Sequence, residues 1–182
     1  SPAVSGSGRL VYFVDGARRL VGARWKTGKI VWRARTVMPV FGTPVPCSTR
    51  VCVPIQLQAL PLMCGIASFE ANTGRQAWVR YVAHQKNICE PRWIPASNTL
   101  LVCCDNALVA LDVVTGADIW VYRAPRTLSP STPAWSPRLG AVIVTEESTS
   151  HMHAVSFQEG VRKWHVTLPG MSWASNSPVC HA

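Results

Sequence analysis

Short apolar runs of strand length follow one another along the whole chain, each closed off by Gly, Asn, Asp or Ser. The clearest stretch is 91–124, where "PRWIP", "TLLVCC", "LVALDVV" and "DIWVYRA" are separated by "ASN", "DNA" and "TGA". Runs this short, rich in Val, Ile, Leu and aromatics, favour strands over helices, and the turn residues between them favour direct antiparallel returns. The pattern predicts four antiparallel strands in this stretch.

The same pattern recurs. Gly28, Gly74, Gly116 and Gly160 are each followed four residues on by Trp32, Trp78, Trp120 and Trp164. Three of the glycines follow a threonine (Thr27, Thr73, Thr115), and Glu159 takes that place in the fourth. A second landmark keeps step: Pro2, Pro44, Pro91, Pro133 and Pro178 each follow Ser, Thr or Glu and open an extended segment. The chain is therefore read as one domain of four units, about 1–41, 42–89, 90–130 and 131–175, with 176–182 beginning a fifth.

Each landmark has a physical role. A hairpin of right-twisted strands needs positive backbone dihedrals that Gly tolerates best, so Thr-Gly closes the return between the third and fourth strands. A Trp at one fixed place per unit can bury a flat surface against the next unit and send its indole N–H to a backbone acceptor there. The small column Gly22, Ser68, Ala110 and Ala154 fits crowded third strands, and Val4, Pro46, Trp93, Trp135 and Cys180 form a bulky column two residues after each proline. Four-stranded sheets that must each cover the next build a radial β-propeller.

These residues resemble the pyrroloquinoline-quinone-like repeat of the quinoprotein dehydrogenase propellers, with its "A-L-D-x-x-T-G-x-x-x-W" strand and Ser-Pro opening. "ALDVVTGADIW" matches at every defined position; "SFEANTGRQAW", "GARWKTGKIVW" and "AVSFQEGVRKW" match progressively less well. The resemblance implies an all-β propeller of four-stranded antiparallel blades, with four repeats plus the opening strand of a fifth, forming part of a larger propeller. The alternative is closure in place, with "SPVCHA" completing a blade. Activity does not follow, because the repeat also occurs in catalytically silent relatives: an outer-membrane assembly lipoprotein, luminal parts of stress-sensing kinases, and the propeller appended to acyl-activating enzymes of the aminoadipate-semialdehyde dehydrogenase type. The enzymes of the family add a calcium ion held by carboxylate and amide side chains, and a catalytic Asp.

Composition narrows the picture. With 182 residues, 48% hydrophobic and 15% charged, the chain can bury a sizeable core and has no disorder signature. No apolar run reaches the ~18 residues of a membrane span, and "SPAVSGSGRL" lacks the parts of a signal peptide. Seven scattered cysteines, odd in number and without metal-ligand spacing, read as small core residues of a reduced protein, which favours the cytoplasm.

Candidate chemistry is thin. Adjacent Cys103 and Cys104, which in some family enzymes form a disulfide on the cofactor face, are read here as packing. His151 and His153 alternate toward one face of a strand but lack a third ligand, so they read as a solvated strand start. Asp112 and Glu70 share a repeat position and read as turn residues, and Glu146-Glu147 as a solvated strand end. No phosphate loop, nucleophile elbow or zinc helix is found, which leaves enzyme activity poorly supported.

Charge says more. The formal net charge is +9, and the first 41 residues hold Arg9, Arg18, Arg19, Arg24, Lys26, Lys29, Arg33 and Arg35 against Asp15 alone. Arg18, Arg19, Arg24, Lys26 and Lys29 are the candidate partner-binding residues, fitting an acidic protein or neighbouring domain. Nucleic acid is disfavoured, because the tryptophans are committed to the repeat. The expected function is a non-catalytic scaffold that needs no cofactor. One alternative is a fragment of a quinone-dependent dehydrogenase, with pyrroloquinoline quinone and calcium; the other is the propeller of an acyl-activating enzyme.

Overall fold

The strands fall where the apolar runs predict them in the computed structural model, which describes residues 1–36, 38–40, 42–57, 63–83, 88–147 and 149–168. Blade one comprises β1 (Ala3–Val4), β2 (Leu10–Val14), β3 (Leu20–Arg24) and β4 (Ile30–Ala34). Blade two has β5 (Val45–Cys47), β6 (Arg50–Leu57), β7 (Met63–Glu70) and β8 (Gln76–Ala83). Blade three has β9 (Arg92–Ile94), β10 (Thr99–Cys104), β11 (Ala107–Asp112) and β12 (Asp118–Arg123), and blade four β13 (Ala134–Ser136), β14 (Ala141–Thr145), β15 (His151–Ser156) and β16 (Arg162–Thr167). In each sheet every strand lies beside its neighbour in sequence. The proposed fifth opening at 176–182, with Pro178 and Cys180, lies outside the described residues.

Burial explains the apolar runs. β10 and β14 are buried at every position, as strands covered on both faces must be, and both read as near-continuous apolar sequence. The outer strands β4 and β12 alternate in part instead, and β16 is exposed along its whole length.

The chain divides into two compact units. Unit one holds Ser1–Lys86, Trp93–Thr99 and Asp112–Ala117; unit two holds Asn87–Arg92, Leu100–Leu111 and Asp118–Ala182. Unit one is built around Tyr12, Leu20, Trp32, Val51, Ile55 and Phe69. In unit two a smaller cluster gathers Ala134, Ala141, Ile143 and Ala154, with Met152 packed against it.

One turn closes the β3–β4 return of blade one and its counterparts. The N–H of Gly28, Gly74, Gly116 and Gly160 donates to the carbonyl four residues back (Arg24, Glu70, Asp112, Ser156) at 2.8 to 2.9 Å. That geometry holds these glycines at φ between +66° and +75°, a left-handed conformation that a Cβ opposes. Side chains reinforce it: Asp112 Oδ1 accepts from the Thr115 N–H at 2.7 Å and its hydroxyl at 2.8 Å, and Glu70 Oε2 accepts from the Thr73 hydroxyl at 2.8 Å. Each return also carries a register shift just after the small-residue column, at Gly22/Ala23, Ser68/Phe69, Ala110/Leu111 and Ala154/Val155. The small residues sit directly across from the tryptophans, Gly22 opposite Trp32 and Ala110 opposite Trp120.

Candidate interaction surface

Three tryptophans form a repeated joint. Trp32 Nε1 donates to the Ala71 carbonyl at 3.1 Å, Trp78 Nε1 to Val113 at 2.9 Å, and Trp120 Nε1 to Phe157 at 2.8 Å. Each acceptor lies three residues before the glycine of the receiving turn. The rings lie against those glycines: a Cβ built on Gly74, Gly116 or Gly160 would stand 2.5, 2.6 or 2.7 Å from Trp32, Trp78 or Trp120. So the glycine serves twice, for its positive φ and for the flat space it leaves to an indole.

The fourth tryptophan departs from expectation. Trp164 is 42% exposed, against 8% for Trp32. Among the described residues no acceptor is recorded for its indole N–H, because no described turn covers the face of β16. Blade one shows the converse: a Cβ on Gly28 would meet nothing within 4 Å.

The basic candidates separate into two groups. Arg24 and Lys26 line a groove of about 550 Å³ with Arg9, Thr27, Val31 and Asn72. Trp25, 60% exposed, is next to Lys26 in the same turn, and Lys29 is exposed on it without lining the groove. Arg18 and Arg19 instead line a depression of about 340 Å³ with Arg35. Arg19 is also tied to Asp15, whose Oδ2 accepts from Arg19 Nε at 2.9 Å, and these contacts hold the Asp15 carboxyl below its ordinary range. Four of the five candidates therefore line two surfaces, which Arg9 and Arg35 complete, and Lys29 lines neither.

Blade four corrects two readings. His153 is 1% and Glu146 3% exposed, so neither is solvated. His153 Nε2 lies 3.1 Å from Glu146 Oε1 and its Nδ1 lies 3.0 Å from the Tyr122 hydroxyl, while Glu146 Oε2 accepts from the Thr149 hydroxyl at 3.2 Å. Polar groups with partners at every site can be buried at little cost. Burial pulls His153 below the ordinary imidazole value, with Glu146 opposing, and pushes the Tyr122 phenol up. With the ring neutral, Nε2–H donates to Glu146 and Nδ1 accepts from the Tyr122 hydroxyl. His165, which the sequence did not single out, stacks against both His151 and His153, with ring centroids 6.1 and 5.9 Å apart.

No three His, Cys, Asp or Glu side chains among the described residues converge on a metal position, and Asp15, Glu70, Asp112 and Glu146 are bound to partners in their own chain. Cys103 and Cys104 are in no disulfide and lie buried within β10. The Cys103 N–H donates to Cys89 Sγ at 2.8 Å, and hydrogen bonding to Cys89 together with burial pushes the Cys103 thiol up. The pair packs within the strand.

Comparison with known proteins accords with the blades. The family described as outer membrane protein assembly factor BamB matches residues 1–120 and 94–177. No curated protein matches the chain. BamB from Moraxella catarrhalis is similar at 16% identity and a TM-score of 0.59, over 91% of this chain and 60% of that one. The quinohemoprotein alcohol dehydrogenase from Comamonas testosteroni is similar at 16% identity and a TM-score of 0.74, over 92% and 35%. A europium-containing methanol dehydrogenase gives 11% identity and a TM-score of 0.76, over 98% and 44%. The chain thus spans between 35% and 60% of the length of these proteins, and the likeness at such identities is one of fold, an all-β propeller of four-stranded blades.

Proposed function

The chain belongs to the family described as outer membrane protein assembly factor BamB, and on that footing we propose that it is a non-catalytic propeller module that holds an acidic protein or neighbouring domain on its first blade. The observation that carries this reading is the groove of Arg9, Arg24 and Lys26. Its three cations are exposed, and no carboxylate lines it.

Physical chemistry supports a protein partner there. Clustered surface charge of one sign steers an oppositely charged partner and orients it, and screening weakens the effect as salt rises. Trp25 beside the groove offers a rigid aromatic anchor of the kind that dominates protein interfaces. Single-stranded nucleic acid would need several stacking platforms, and Trp32, Trp78 and Trp120 are occupied in the joints.

Calorimetric titration with a Glu-rich peptide tests the reading. The expected result is binding that weakens with salt and drops at least about tenfold, or 1.4 kcal/mol, in the triple variant Arg9→Glu, Arg24→Glu, Lys26→Glu. Equal binding by the variant, or none by the parent, would overturn it. A stoichiometric chromophore with dye reduction, on adding pyrroloquinoline quinone, calcium and an alcohol, would instead make the chain part of a dehydrogenase.

A further inference from the structure

Five buried side-chain nitrogens and oxygens have no hydrogen-bond partner among the described residues, and two of them are nitrogens: Trp93 Nε1 and Arg50 Nε. The other three are hydroxyl oxygens, which can rotate toward a partner. An indole or guanidinium N–H is fixed in the plane of its group, so it stays unpaired until an acceptor is brought to it, and a buried unpaired donor is costly. Trp93 and Arg50 line the same cavity, of about 370 Å³.

The walls of this cavity are pinned by backbone bonds. The β5–β6 turn sets Arg50 at the start of β6, and the Thr49 carbonyl beside it accepts from the Ala71 N–H at 2.9 Å. Trp93 stands in the middle of β9, followed by the short helical turn Pro95–Ser97 and by Asn98 at φ +54°. The Asn98 carbonyl accepts from the Val113 N–H at 3.1 Å, and the Val113 carbonyl in turn holds the Trp78 indole. All of these residues belong to unit one.

We propose that this cavity binds a small carboxylic acid with a branched or aromatic apolar body, its carboxylate accepting from the Trp93 indole N–H and the Arg50 Nε–H. Two donors without an acceptor call for a group that only accepts, and an ionised carboxylate is one. Its charge answers that of Arg50, whose ion-pair partner Glu70 lies 3.8 Å from Nη1 and is already taken up by Arg75 and Thr73. The apolar body follows from the wall of Pro95, Val113, Val114 and the Trp93 ring, and from a volume typical of small-molecule sites, which inorganic phosphate would leave mostly empty. Both side chains are only part-buried as a whole, which leaves them room to turn their nitrogens onto the ligand. The cavity shares no residue with the basic groove of blade one, so either reading can fail alone.

The test titrates the whole chain with sodium isovalerate and follows the Trp93 indole N–H and the Thr49 and Asn98 amides by NMR. The expected result is a saturable shift of all three. Affinity should be at least about tenfold weaker for acetate, which lacks the apolar body, and for isoamyl alcohol, which lacks the carboxylate. Trp93→Phe keeps a ring and loses the N–H; it and Arg50→Gln should each weaken isovalerate at least about tenfold, read at Thr49 and Asn98, with the rest of the amide spectrum unchanged. No saturable shift, equal affinity for the alcohol or for inorganic phosphate, or unchanged affinity in either variant overturns the proposal. So does a shift confined to the amides of Arg9, Arg24 and Lys26, because the acid then sits in the basic groove as a simple anion.

Discussion

Adding one methyl group at two glycines separates the two roles that the Thr-Gly turn gives them. Gly28 and Gly116 have nearly the same backbone, φ +66° and +75°, so an alanine at either meets the same left-handed strain of about 1 to 2 kcal/mol. They differ in surroundings. At Gly28 the new methyl enters open space, whereas at Gly116 it would stand 2.6 Å from Trp78 Cδ2. The ring must move, loosening the 2.9 Å bond from Trp78 Nε1 to the Val113 carbonyl, and overpacking of that kind costs about 1 to 3 kcal/mol more. Urea unfolding followed by tryptophan fluorescence and amide exchange should place Gly116→Ala about 1 to 3 kcal/mol below Gly28→Ala. The excess should vanish in a Trp78→Ala background, where Gly116→Ala falls back to strain alone. Equal costs at the two glycines, or an excess that persists without Trp78, would refute the claim that the indole on the glycine makes the joint.

Other outcomes follow from the same geometry. Trp120→Ala should cost about 3 to 5 kcal/mol by thermal or urea unfolding, since it removes a packed ring and leaves the Phe157 carbonyl without its donor; Trp164→Ala in the same chain should stay within about 0.5 kcal/mol. Asp112→Ala removes the acceptor of both Thr115 bonds and should cost about 1 kcal/mol. His153 has a lower affinity for protons when folded than when unfolded, so the unfolded chain takes up the extra proton. Its contribution is therefore complete above the unfolded value of about 6.5 and is lost as pH falls below it, at up to about 1.4 kcal/mol per pH unit. Urea midpoints between pH 7 and 5 should fall less steeply in His153→Gln. The Glu70 carboxyl, held to about 2 by hydrogen bonds from Arg75 and Thr73, acts in a separate window: its share is present above about pH 4.5 and is lost as pH falls toward 2.

The blades were legible because everything that makes one is close in sequence. Alternation in short runs selects strands, a positive-φ glycine closes the return, and a small residue opposite each tryptophan leaves room for the ring; all act within about fifteen residues. The function of the tryptophans was legible in kind, since a large polar-tipped aromatic recurring at one place must find a surface and an acceptor.

What the tertiary structure alone decided concerns partners far along the chain. Whether a tryptophan is covered depends on a turn some forty residues later, which is why Trp120 meets Gly160 while Trp164 stays open. His153 and Glu146 read as solvated because charged and titratable groups usually are. Their burial rests on Tyr122, 31 residues away, and no local pattern reports that a distant hydroxyl will satisfy an imidazole. The eight cations near the start announced a basic surface, but its division into the Arg9, Arg24 and Lys26 groove and the Arg18, Arg19 and Arg35 depression was set by the antiparallel path of blade one. Local chemistry determines the element, and burial, charge grouping and open faces are settled only where elements meet, because each needs a second group that the sequence holds at a distance.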